Sequence, residues 1–173
     1  MKDGVKQANI NLYVNRENER EKWNKHPDKI LGYPRHIDFI MEHLKPGTKV
    51  LDACCGVGLV STHLWQRGLI PTCFDISVDS LKSAIASDKK LAVFRADAEY
   101  IPIRSNSFDG VCYDAAFHHL PNPQQGMAEA YRVLEEGGKL ILIEPNIIGI
   151  GLFGGLIRAI MNPRNAPNEL VLL

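Results

Sequence analysis

The stretch Val50-Leu51-Asp52-Ala53-Cys54-Cys55-Gly56-Val57-Gly58 decides the fold, because a strand-like apolar run passes into a two-glycine turn and the helical pattern of Leu59 to Arg67 begins at once. Gly56 and Gly58 can take backbone angles closed to other residues and let a ligand approach the main chain. Strand, glycine turn and helix in this order make the ligand-binding corner of an open α/β sheet, although a tight strand-to-helix connection uses the same residues.

Outward from this corner, short apolar runs alternate with helix-length segments. The runs Lys49 to Ala53, Ile70 to Phe74, Leu91 to Ala96, Phe108 to Tyr113 and Leu140 to Ile143 are each short enough for a strand covered on both faces. Helical spacing marks Leu59 to Arg67, Val78 to Ala86 and Gln124 to Leu134, closed by Gly68, by Ser87-Asp88-Lys89-Lys90 and by Gly137-Gly138. Glu99 to Ser107 is polar and contains proline, so it reads as a loop with at most one helical turn. Ahead of the glycine corner, Ile37, Ile40, Met41 and Leu44 recur at helical spacing from Pro34 until Pro46-Gly47 stops the run. The alternation predicts an α/β fold with a Rossmann-like, doubly wound parallel sheet. Residues 1–33 lack sustained periodicity and are expected to form an arm or cap, with residues 34–173 as the single ligand-binding domain.

Composition narrows the function. Lysine plus arginine equals aspartate plus glutamate, 20 against 20, so no global positive field favours nucleic acid or an anionic membrane. A small-molecule acceptor or a protein is the better partner. The four cysteines lie in apolar runs without zinc or redox spacing, and the adjacent His118 and His119 lack a third donor, so no metal is expected. Buried thiols and an N-terminus without a signal-peptide pattern point to the cytoplasm. The most apolar stretch, Ile147 to Met161, is shorter than the ~20 residues of a membrane span and is interrupted by glycines and Arg158, so no transmembrane helix is expected.

Asp75 ends the second run in Cys73-Phe74-Asp75-Ile76-Ser77, where a carboxylate beside the glycine turn can accept hydrogen bonds from both hydroxyls of a ribose. Capping of the following helix, by Asp75 or Ser77, is the competing reading. A dinucleotide fingerprint needs a third glycine where this chain has Ser61, and Asp52 ahead of the turn would repel a pyrophosphate. Asp52 suits a cationic ligand instead.

VLDACCGVG, FDIS, RADAEYIPIRSNSFDGVCYDAAFHHLP and EAYRVLEEGGKLILIEP, in this order, resemble the motif series of the class I S-adenosylmethionine-dependent methyltransferases, in particular the small-molecule branch that includes quinone-biosynthesis C-methyltransferases. The resemblance runs from Lys49 to Pro145. It implies strand order 3-2-1-4-5, S-adenosylmethionine as cofactor, and direct in-line displacement of the methyl group onto an acceptor that could be apolar. By the same resemblance Asp52 lies near the methionine amino group, Gly56 and Gly58 line the methionine and ribose, and Asp75 binds the ribose. Ile76 packs on adenine, Asp97 meets its amino group with Ala98 beside it, and the segment from Asp114 to His119 passes beneath the methionine and faces the acceptor. His118 and His119 both offer an imidazole after the fourth strand; His119, where the family pattern has a histidine, is the preferred candidate catalytic base and His118 the lesser one, with a structural role as the alternative. Cys54 departs from the family, which has glycine there, so its side chain could crowd the methionine carboxylate.

Tyr13, Trp23 and Tyr33 either cover the sulfonium or pack the arm onto the sheet. Asp109 reads as a loop contact away from the ligand face, and Tyr131 and Arg132 as packing and solvation of their helix. An NAD-dependent oxidoreductase, an aminopropyltransferase and a non-catalytic subunit of the same fold are the rival classes. The resemblance also implies an antiparallel strand pair beyond the fifth strand that this chain lacks, so the domain is expected to be truncated. The fifth strand would then be a free edge through which copies could associate.

Overall fold

The computed structural model describes residues 33–144 and 169–172, together with the backbone at Gly4 and Gln7. The remainder of the expected arm with Tyr13 and Trp23, the side chain of Tyr33 and the apolar segment 147–161 lie outside the described residues. In chain order the elements are α1 (Tyr33–His43), β1 (Lys49–Ala53), α2 (Leu59–Gln66), β2 (Ile70–Asp75), α3 (Val78–Ser87), β3 (Ala92–Arg95) and β4 (Phe108–Asp114). A single 3-10 turn (Phe117–His119), α4 (Pro123–Val133), β5 (Leu134–Ile143) and β6 (Glu169–Leu172) follow.

The strands form one sheet in the order β3-β2-β1-β4-β5-β6, and every pair is parallel. Successive strand residues face opposite sides, which explains why the strands read as nearly continuous apolar runs. On one side Val50, Cys112, Ile141 and Ile143 pack under Ile37, Ile40 and Leu44 of α1 and Val60 and Leu64 of α2. On the other side Leu51, Ala53, Tyr113, Leu140 and Leu142 meet Met127, Ala130 and Val133 of α4. Each such side chain, fully buried, stabilises the fold by roughly 1.5–3 kcal/mol. The winding reverses between β1 and β4, which places a crevice at their carboxyl ends.

Two expectations are corrected. Gly137-Gly138 does not close the last helix. α4 stops at Val133, where the N–H groups of Asn106 and Ser107 donate to the carbonyls of Arg132 and Val133 at 3.0 and 2.8 Å. The chain enters β5 directly, with Leu134 opposite Phe108, and the register shifts before Lys139 meets Gly110. The glycine pair belongs to that irregularity, with Gly137 at φ 79°. Nor is β5 a free edge: β6 pairs with it in parallel from Lys139↔Glu169 to Leu142↔Leu172. Association through an exposed fifth strand therefore loses its structural basis.

Candidate functional site

β1 delivers the chain into a turn of left-handed residues, with Cys54 at φ 59°, Gly56 at φ 54° and Gly58 at φ 75°. The two glycines serve different needs. A Cβ on Gly58 would sit 2.9 Å from Ala84 Cβ and 3.2 Å from Leu91 Cδ1, so Gly58 lets α3 pack against the turn. A Cβ on Gly56 would meet nothing within 4 Å, so that glycine borders open space.

Asp75, at the end of β2, braces the turn. Its Oδ2 accepts from Gly56 N–H at 2.9 Å and its Oδ1 from Ser77 N–H at 2.8 Å. Capping of α3 falls to Ser77, whose hydroxyl accepts from Ser80 N–H. The two readings of this segment thus separate onto two residues.

Beside the turn opens a partly open cleft whose empty space, counted to its mouth and including open solvent, is about 550 Å³. It brings together six of the expected residues: Cys54, Asp75, Ile76, Asp97, Ala98 and His119. Ala116, Leu120 and Pro121 complete the wall that follows β4. Among the described residues no lysine or arginine lines it. Asp97 Oδ1 accepts from Glu99 N–H at 3.0 Å, which fixes the loop after β3. Burial, reinforced by the carboxylates of Asp75, Asp52, Asp97 and Glu144, pushes the Cys54 thiol well above its usual range, so it stays protonated and is a poor nucleophile.

Asp52 and Asp114 do not line the cleft. Both face α1 and α2, sharing strand parity with Val50 and Cys112. Asp52 is 1% exposed, and its Oδ2 accepts from the Ser61 hydroxyl at 2.6 Å. Burial pushes its carboxyl up to about 7; the Ser61 hydrogen bond opposes this, and the charges of Asp114 and Asp75 add to it. Asp114 has a side chain 6% exposed, with His36 Nδ1 2.9 Å from Oδ1, an ion-pair contact without hydrogen-bond alignment. Its Oδ2 is buried and accepts no hydrogen bond among the described residues.

Sequence reasoning missed His36, Ser61 and Glu144 and undervalued Arg132. Glu144 follows β5 and reaches back to the turn after β4. Its Oε1 accepts from Phe117 N–H at 2.8 Å and its Oε2 pairs with His118 Nδ1. The rings of His118 and His119 lie 3.9 Å apart between centroids. Arg132, expected to solvate its helix, instead donates to the carbonyls of Ile103 and Ile101 at 2.7 and 2.8 Å, while Glu129 accepts from Ile101 N–H at 2.7 Å. The guanidinium holds the Glu129 carboxyl below the usual carboxylate range. Asp109 lies in β4 and its Oδ2 accepts from Lys49 N–H at the start of β1 at 2.8 Å, a contact between neighbouring strands rather than within a loop. Among the described residues no group of three or more His, Cys, Asp and Glu is arranged to hold a metal ion.

A parallel sheet with its crevice at the winding switch, a glycine turn braced by a carboxylate and an acidic cleft define an α/β domain of the class that binds nucleoside-containing ligands. The chain belongs to the methyltransferase domain family, whose model matches residues 51–142. The demethylmenaquinone methyltransferase of Renibacterium salmoninarum is 32% identical over 57% of this chain and 42% of its own length. That of Listeria welshimeri is 29% identical over 70% and 58%. The chain thus spans about half the length of the curated relatives it matches. Among solved structures, a Bacillus halodurans protein is 30% identical with TM-score 0.60, over 72% of this chain and 58% of that one. The phosphoethanolamine N-methyltransferase 2 of Haemonchus contortus, solved with S-adenosyl-L-methionine, shares the fold at TM-score 0.59 and 24% identity, over 64% and 28%. The cyclase SpnF shares it at TM-score 0.57 and 23% identity, over 60% and 42%.

Proposed function

We propose that this chain is the S-adenosylmethionine-binding part of a methyltransferase that transfers the methyl group to a small, apolar acceptor by direct in-line displacement. The carrying observation is the charge of the site: carboxylates in and beneath the cleft and, among the described residues, no lysine or arginine on its lining and no donor to the buried Oδ2 of Asp114. That donor set fits a ligand bearing an ammonium and a sulfonium and repels a pyrophosphate, which disfavours NAD.

In this reading Asp75 holds the ribose hydroxyls, and Ile76 and Ala98 flank the adenine with Asp97 toward its amino group. Gly56 borders the methionine, and Asp52 and Asp114 answer the ammonium. When bound, the cofactor supplies a methyl group made electrophilic by the sulfonium. The chain contributes alignment and exclusion of water, effects worth up to about 7–11 kcal/mol of a barrier. His119, Leu120 and Pro121 form the wall offered to the acceptor, and their largely apolar character agrees with the quinone acceptor in the relatives' names. Four unpaired thiols support a cytoplasmic location.

The test is transfer of a labelled methyl group from S-adenosylmethionine to a reduced short-chain naphthoquinone, chosen because carbon attack on a sulfonium requires an electron-rich ring. Label in the extracted quinone supports the reading. Binding of S-adenosylhomocysteine without label transfer rejects the acceptor, and absence of binding rejects the methyltransferase assignment.

A further inference from the structure

Resting on the methyl-transfer reading, we propose that Glu144 is a positioning residue that holds His118 with its proton on Nδ1, leaving Nε2 as a bare proton acceptor beside the acceptor wall of the cleft. The argument begins with hydrogen-bond supply. Phe117 N–H can only donate, and it takes Oε1 of Glu144 at 2.8 Å. A carboxylate only accepts, so the His118 nitrogen that meets Oε2 must carry the proton. With Nδ1 so occupied, a neutral ring has its lone pair on Nε2.

The backbone supports this placement. Ala115 turns through φ 50°, and its N–H donates to Ile143 O at 2.7 Å, which ties the end of β4 to the end of β5 just before Glu144. His119 N–H closes the turn onto Ala116 O at 3.0 Å. His118 is a quarter exposed in its side chain and Glu144 about a seventh, so the pair is partly exposed rather than sealed in the core, and it adjoins the cleft through His119 rather than lining it. The His118 ring lies against that of His119, which lines the cleft.

The proton balance is simple. As the acceptor forms its bond to the methyl carbon, the carbon–sulfur bonding pair stays on sulfur and gives a neutral thioether. The acceptor's hydroxyl or amine proton passes to His118 Nε2, and from the imidazolium to water. For a ring-carbon acceptor, the proton on the methylated carbon then passes to water and the ring oxygen takes one back, which restores the aromatic hydroxyl ring with one proton released in total.

Ring nitrogen NMR on the full chain tests the proposal, with His118→Asn used to assign the signal and Glu144→Gln to perturb it. In Glu144→Gln the amide oxygen stays with Phe117 N–H, and the NH2 faces Nδ1 and forces the proton to Nε2. The expected result is an Nδ1–H ring in the parent and an Nε2–H ring in Glu144→Gln. S-adenosylhomocysteine affinity should stay within about twofold, and turnover of the reduced naphthoquinone should fall about a hundredfold or more in both variants, as for loss of a general base. A parent ring protonated on Nε2, an unchanged tautomer in Glu144→Gln, or turnover within about threefold of the parent in His118→Asn overturns the proposal. A parent that binds no S-adenosylhomocysteine refutes the methyltransferase reading instead, and the ring measurement still decides whether Glu144 sets the tautomer.

Discussion

At the residue scale, the most informative group is Asp52, held almost dry beneath the glycine turn. Between the ordinary carboxyl value of 3.8 and about 7, the native state keeps a proton that the unfolded chain has lost. Stability therefore falls as pH rises across that window, by at most roughly 1.4 kcal/mol per unit, and this contribution is level above it. Asp52→Asn should remove the slope and be more stable than the parent at pH 8 in urea unfolding; an equal pH dependence in both proteins would refute it. The ligand's ammonium group favours the ionised carboxylate, so affinity for S-adenosylhomocysteine should climb with pH up to about 7 and lose that climb in Asp52→Asn. The acid ahead of the turn was legible in the sequence. Its burial was not, because burial depends on α1 and α2 closing over it, with His36 and Ser61 supplied from separate segments.

Cys54 carries a side chain at φ 59°, a conformation that costs roughly 1–2 kcal/mol outside glycine. Cys54→Gly relieves that strain while giving up thiol packing and backbone entropy of roughly 0.5–1 kcal/mol. Its unfolding free energy should therefore stay within about 1 kcal/mol of the parent, and its affinity for S-adenosylhomocysteine should rise because the thiol no longer narrows the cleft. Unchanged or weaker binding by calorimetry would show that Cys54 does not crowd the ligand.

At the element scale, the turn between β1 and α2 separates a tightly packed glycine, Gly58, from one that borders open space, Gly56. Gly58→Ala adds left-handed strain and a clash against α3, and should cost about 2–4 kcal/mol of stability. Gly56→Ala adds the strain alone, about 1–2 kcal/mol, while its Cβ enters the open space that the proposed reading gives to the ligand. Calorimetric binding and denaturant unfolding should thus rank the two variants in opposite orders. Similar effects of both on stability would contradict the division. The regular elements were legible because apolar runs and helical spacing report local burial. The start of β5 was not, because Glu135 to Gly138 carry the composition of a helix terminator and only pairing with β4 makes them a strand irregularity. Arg132 was misread for a related reason: its partners, Ile101 and Ile103, lie on a loop some thirty residues earlier and meet it only in the folded chain.

At the scale of the whole molecule, the sheet presents six parallel strands between two apolar layers, and β6 closes over β5. Removal of residues 169–173 would uncover the ladder of β5 from Lys139 to Leu142, and an unpaired apolar strand is a template for association. Light scattering should show the shortened chain self-associating where the parent does not; a monodisperse shortened chain would show that β6 is not what guards the edge. No helix among the described residues is long and apolar enough to cross a membrane.

The same scale explains why family membership leaves the reaction open. The fold and motif order could be anticipated from Lys49 to Pro145, yet SpnF, a cyclase, shares the architecture, so function must rest on the site. The proposed reading rests on an acidic cleft that would take a nucleoside bearing an ammonium group. Thermal unfolding of the full chain with S-adenosylhomocysteine or NAD, each at about a hundred times a micromolar dissociation constant, tests that claim most directly. A ligand bound to that extent stabilises by about 2.7 kcal/mol, which for a chain of this size shifts the midpoint by about 5–10 °C. The account predicts such a rise with S-adenosylhomocysteine and none with NAD, whereas equal shifts, or a shift with NAD alone, would contradict it.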